Sequence, residues 1–225
     1  MITDLPIYVY ITFSIATLFS LVLFYYANDK GLKFIIAIVL WGILHSILAM
    51  LGFYENTKTV PPRFILLVIP MVAIVLFSVF SKKTKNWLST FNLKMLTYLH
   101  VVRIPVELVL YWLFLEKYIP ELMTFEGRNF DILAGITAPI VALFAFKKHK
   151  TNKLFLWIWN VFSIILLINI LVIAVLSTPT VLQQFAFEQP NIAVMKFPFI
   201  LLPAIIVPIV LISNMAGFVI LKRMK

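Results

Sequence analysis

No cysteine occurs anywhere in the chain. Disulfides, thiolate-held metals, iron–sulfur clusters and cysteine nucleophiles are therefore excluded. Charge is nearly as scarce: Asp, Glu, Lys and Arg make up 12% of the 225 residues, against about 25% in soluble domains. Also missing is any polar stretch between apolar runs longer than about 20 residues, so these 225 residues hold no separate water-soluble catalytic or signalling domain. No H-E-x-x-H motif and no nucleophile motif is present, which leaves a hydrolase without its usual machinery.

What the chain has instead is a succession of apolar runs. It is 63% hydrophobic, with a mean hydropathy of +1.05. About 20 helical residues cross the hydrocarbon core of a bilayer, and runs of that length recur from end to end. They predict an all-α membrane protein, a seven-transmembrane helix bundle forming one domain over 1–225. The expected spans are about 6–26, 34–53, 64–80, 94–115, 131–146, 154–177 and 198–221. A β-barrel is excluded, because barrel strands alternate apolar and polar residues and these runs are apolar on every face. The first run is expected to be retained rather than cleaved as a signal peptide. It carries Asp4 and Pro6 where a basic segment would stand, and no A-x-A-type site precedes Asn28.

Charge sign sorts the loops. Thirteen of the 19 Lys and Arg residues, around 30–33, 82–94, 147–153 and 222–225, fall on one side of a seven-span arrangement. Lys58, Arg63, Lys117, Arg128 and Lys196 fall on the other, with seven of the nine acidic residues. The positive-inside rule then predicts the N-terminus outside and the C-terminus in the cytoplasm. The net charge of +10 reads as an inner-leaflet signature, with "KKTK" and "KKHKTNK" meeting anionic lipid headgroups. Membrane lipids are the expected partners, and nucleic acid is not.

The two ends of the chain share a pattern. "FILLVIPMVAIVLFS" (64–78) and "FILLPAIIVPIVLIS" (199–213) match at nine of fifteen positions without gaps. A duplication would make spans 1–3 and 5–7 parallel repeats around span 4, a 3+1+3 plan resembling that of small sugar transporters and rhodopsin-like bundles. The chemistry of neither accompanies it: no Pro-Gln pair lies within a helix, and span 7 offers no mid-membrane lysine.

The polar residues within the apolar runs are the candidate site. In "LHVVRIPVELVLYW" (99–112), His100, Arg103 and Glu107 point within about 60° of one another on a helix. A mid-span arginine costs about 2.5–3.5 kcal/mol on insertion scales, so the stripe is expected to face the bundle interior. Two uses follow from the spacing. Arg103 and Glu107, four residues apart, could close on each other as an ion pair that cements helices. Alternatively the stripe, with His45 of span 2 and Asn160 of span 6, lines a cavity that binds a ligand or a proton. Asn169, Ser213 and Asn214 add uncharged polar groups. Haem or a divalent metal remains an alternative, with His45 and His100 as axial ligands or His45, His100 and Glu107 as a metal set. His149 sits in a basic loop and contributes to neither.

A second constellation, "MTFEGRNFDI" (123–132), brings Glu126, Arg128, Asn129 and Asp131 to the start of span 5. Capping of the helix is one reading. The other is an outer gate, with Gly127 as a flexible point and Arg128 paired locally to Glu126 or Asp131. Pro70, Pro105, Pro139, Pro203 and Pro208 interrupt the spans as kinks, and the last two are the best hinge candidates.

"RIPVE" in a central span followed by "MTFEGRNFDI" resembles an uncharacterised family of small bacterial seven-helix integral membrane proteins. The resemblance implies the architecture and a bacterial inner (cytoplasmic) membrane, and transfers no catalytic role. Three functions fit these residues: a carrier or ligand-binding bundle for a small molecule or ion, a scaffold or partner subunit of a membrane complex, and a membrane-embedded haem- or metal-dependent oxidoreductase. The first is the leading expectation.

Overall fold

A computed structural model describes residues 2–29, 31–147 and 150–224; His149 and two loop lysines, Lys30 and Lys148, lie outside them. The helices are α1 (Ile7–Ala27), α2 (Leu32–Met50), α3 (Ile65–Phe80), α4 (Lys82–Leu88), α5 (Leu93–Leu99), α6 (Arg103–Leu115), α7 (Ile132–Ala145), α8 (Lys153–Leu176) and α9 (Val207–Arg223). A 3-10 turn, His100–Val102, joins α5 to α6, and a π-helical turn, Leu202–Ile206, leads into α9. A two-residue antiparallel ladder, Phe146–Lys147 against Lys150–Thr151, closes the loop between α7 and α8.

Among the described residues, five helical units are long and apolar enough to cross a membrane: α1, α2, Leu93–Leu115, α8 and Leu202–Arg223. A sixth is α3 taken with α4, and this pair bends by 97°. The expected fifth span is shorter than the rest, at 14 residues. At 1.5 Å per residue it rises about 21 Å, because the buried Asn129 and Asp131 fix one end and the hairpin fixes the other.

Local chemistry sets the breaks. Ser81 ends α3 and caps α4, its Oγ accepting from Thr84 N at 3.2 Å. α4 then lies across the end of the bundle, where Arg223 donates to Ser89 Oγ and Asn86 Oδ1, each at 2.6 Å. The last span begins at Leu202 rather than 198. Pro203 has no N–H to offer Phe199, whose carbonyl accepts from Leu202 N at 3.0 Å instead. Val207 N then bonds Leu202 O, five residues back, just before Pro208.

α9 is the central element. Of the apolar 18-residue window within the stretch that α9 forms with the π-helical turn before it, Leu202–Arg223, 72% is buried, against 22% for that of α2. α3, α4, α5 and α8 pack on α9, α1 packs on α5 and α6, and α7 fills the space between α5 and α8. The outward faces of the peripheral helices are apolar, with Ile7, Leu18, Leu40 and Leu154 largely exposed, as expected of surfaces made for hydrocarbon.

The two ends of the bundle differ. One gathers α4, the hairpin and the end of α9, with Lys153 Nζ donating to Met224 O. The other is capped by the loops 116–131 and 177–201. There Tyr118 O accepts from Ile192 N at 3.0 Å, Gln189 Nε2 donates to Ile119 O at 2.6 Å and to Phe114 O at 3.1 Å, and Ile2 N reaches Phe197 O.

Candidate functional site

Gly135 determines how the charged cluster forms. A Cβ there would lie 2.9 Å from Ile104 Cγ1 and 3.3 Å from Arg103 Cβ. Without one, α7 presses against the start of α6. Asp131 stands four residues earlier, on the same face of α7, and this delivers its carboxylate to Arg103.

Arg103 and Asp131 form the only buried ion pair among the described residues. The guanidinium is 2% exposed. Its Nη1 donates to Asp131 Oδ1 and, at 3.2 Å, to the carbonyl of Ser163 on α8; Nη2 donates to Ser163 Oγ at 3.0 Å. Ser163 is left with its hydroxyl proton, which faces His100 Nδ1 at 3.3 Å. Trp159 stands edge-on to the His100 ring at 5.0 Å. The expected Arg103–Glu107 pair is not formed. In the order Arg then Glu, a four-residue spacing is the less favourable arrangement on a helix, and Asp131 is available from another helix.

Glu107 has a different partner. Asn129 Nδ2 donates to both of its carboxyl oxygens at 2.7 Å and to Met123 O at 3.0 Å. Asn129 Oδ1 accepts from Asp131 N at 3.1 Å. Arg103, Asp131, Asn129 and Glu107 are thus one network, and all four are buried. Asp131 does not cap α7 with its side chain.

The proposed gate residues separate. Asp131 belongs to the buried network, while Glu126 and Arg128 are exposed. Arg128 meets neither acid; its carbonyl accepts from Asn169 Nδ2 at 2.7 Å. Gly127 is no flexible point, since a Cβ there would lie 2.2 Å from the carbonyl oxygen of Glu121. It is required for close backbone approach.

His45 lies elsewhere. Its Nδ1 meets the hydroxyl of Tyr54, and Trp41 stands edge-on at 4.1 Å between ring centres. Burial pushes the Tyr54 hydroxyl up to about 12, and the other ring nitrogen of His45, Nε2, has no partner among the described residues. His45 is therefore apart from His100 and Glu107, and no group of three His, Asp or Glu among the described residues is placed to hold a metal ion. Asn160 sits on the α8–α9 seam. Its Nδ2 donates to Asn214 O at 3.0 Å, and Gly217 packs against its amide.

Beside the charged network lies a cavity of about 300 Å³ between α3, α6, α8 and α9. Its walls are aliphatic, including Val68, Met71, Leu110, Leu167, Leu171 and Val210. Among the described residues, the only polar ones lining it are Arg103, Glu107 and Asp131. Arg103 Nε finds no acceptor among the described residues.

Sequence reasoning missed Ser163 as a member of the site, and it read Asn129 as a helix cap rather than as the partner of Glu107. Ser163 was findable: it lies three residues after Asn160 and so shares its helix face. Asn129 had no such signal, because its role depends on a contact across 22 residues.

No curated protein and no solved structure matches the chain. A family model does, over residues 60–222. That stretch contains every residue lining the cavity and the whole charged network, and leaves out α1, α2 and the His45–Tyr54 pair. The chain belongs to the family defined by this domain of unknown function, DUF8737.

Proposed function

We propose that the chain is a ligand-binding or carrier bundle of a bacterial cytoplasmic membrane, with seven spans, the N-terminus outside and the C-terminus inside. The observation that carries the reading is the cavity of about 300 Å³ with one buried charged network at its wall. Ligand pockets are mostly apolar with a few placed polar groups, and charged residues inside a membrane bundle mark binding sites or transport pathways. Orientation follows from the two ends: basic residues cluster at the end closed by α4 and the end of α9, and acidic residues at the end capped by the loops 116–131 and 177–201. The short α7 crosses with its buried Asp131 end inside the protein rather than in lipid. The π-helical turn between Pro203 and Pro208 borders the cavity and supplies a place for α9 to flex in a transport cycle.

A scaffold needs its polar groups closed on one another, and Arg103 Nε is not. The metal set of His45, His100 and Glu107 is not brought together among the described residues.

Native mass spectrometry from mild detergent tests the reading. A small-molecule mass should remain on the wild type and on His45→Ala, and be lost from Leu171→Trp, which fills the cavity. A clean apo mass on a folded wild type would sink it.

A further inference from the structure

We infer that the ligand reaches the cavity sideways from the bilayer, through the gap between α3 and α8, and that it is a single-chain neutral lipid whose hydrogen-bond-accepting head meets Arg103. This rests on the ligand-binding reading above and names its substrate class and route.

The cavity is closed toward the capped end. Met123 and Val194, from the two capping loops, line it and are buried, and the loops are tied to each other through Tyr118 and Gln189. Along its side it is open. α3 and α8 both pack on α9 but not closely on each other. Val72 of α3 and Ile168 of α8 line the cavity and are nevertheless 51% exposed each. The surface around this gap is apolar, so what faces the opening is hydrocarbon rather than water. A solute arriving from water would have to cross the capping loops or the lipid.

Size and polarity narrow the ligand. About 300 Å³ is the lower end of the range for ligand pockets, roughly 300–1,000 Å³, and suits one chain rather than the two of a phospholipid. The walls offer that chain aliphatic contact along most of its length. Arg103 lines the cavity, and its Nε–H is buried without an acceptor among the described residues. An oxygen acceptor on the ligand would satisfy it. The charge of Arg103 is already matched by Asp131, and Glu107 is a second carboxyl group in the same network. No positive charge is left for an anionic head, so a hydroxyl or carbonyl oxygen fits and a phosphate or sulfonate does not. Fatty alcohols, prenols and quinones share this chemistry.

Photolabelling in lipid nanodiscs tests both halves. The probes are a diazirine-bearing hexadecanol and the same chain ending in a sulfonate, with labelled peptides mapped by mass spectrometry. The diagnostic peptide is 207–215 of α9, whose residues are mostly buried and which bulk lipid does not reach. It should be labelled by the alcohol, the label should be competed by unlabelled hexadecanol, and the sulfonate should label it at least fivefold less. Val72→Trp and Ile168→Trp change exposed positions at the mouth. They should elute as folded protein and lose label on α9 at least tenfold. Equal labelling by the sulfonate overturns the neutral head. Unchanged labelling in the tryptophan variants overturns the sideways route. An unlabelled α9 together with a retained non-lipid mass overturns the lipid and leaves the ligand-binding reading standing; an unlabelled α9 with no retained mass ends both.

Discussion

The Arg103 network and the His45–Tyr54 pair start from the same position, as titratable side chains buried in apolar helices, and resolve it in opposite ways. His45 is packed between Trp41 and Tyr54, and borders no part of the cavity. Arg103 draws partners from two other helices, borders free space and keeps one donor unused. His45 takes its one partner from the loop just after its helix, and its Nε2 has none among the described residues, whereas the Arg103 network is assembled from several helices beside a cavity. The family match covers the second region and stops short of the first.

The largest effect that would break this comparison comes from Asp131→Asn. It leaves the guanidinium of Arg103 buried without its counter-charge, and breaking a buried pair in this way costs about 3–5 kcal/mol. A large fall in the melting temperature in detergent is expected, and a change within error of wild type would mean that the pair is not formed. Next is Tyr54→Phe, which removes the partner of His45 Nδ1. An unsatisfied buried group costs about 1–3 kcal/mol, so stability should fall while the bound mass stays. Loss of the ligand in this variant would erase the distinction between the two regions. Smaller again is Glu107→Gln. Its amide oxygen can still accept from Asn129, so about 1 kcal/mol is expected, far less than for Asp131. Equal losses in the two carboxyl variants would show that the network acts as one unit rather than as an ion pair with an appended acid.

How legible this was depended on range. The ends of α1, α2, α3 and α8 fall within about three residues of the apolar runs, because hydrocarbon length and helix rise determine them together. α4 was not legible as a crosswise helix, since "KKTKNWL" carries no apolar periodicity and is turned by the Ser81 cap. At the site, the stripe of His100, Arg103 and Glu107 could be read from 3.6-residue spacing, and all three are buried. Their partners could not. Asp131 lies 28 residues from Arg103 and Ser163 lies 60, and what brings Asp131 in is the missing side chain of Gly135. His45 belongs to another helix than the stripe, and its partner comes from a loop nine residues further on, which no spacing within span 2 reveals.

The smallest effect concerns the seam between the N-terminus and the capping loops. Tyr118 donates its hydroxyl to Asp4 Oδ1 at 2.7 Å. This bond holds the Asp4 carboxyl below its ordinary value and pushes the Tyr118 hydroxyl up to about 12. For the lowered carboxyl, the stabilising contribution is present above the ordinary carboxylate value and is lost as pH falls through the lowered one. For the raised tyrosine, it is present below the ordinary tyrosine value and is lost as pH rises towards about 12. Asp4 is open to solvent, so the contribution is slight. Tyr118→Phe should leave the melting temperature at neutral pH almost unchanged and remove only a shallow decline on each side. A steep acid decline that survives in Tyr118→Phe would place the pH sensitivity of the fold outside this seam, and would show that the hydrogen bond between Asp4 and Tyr118 contributes nothing to it.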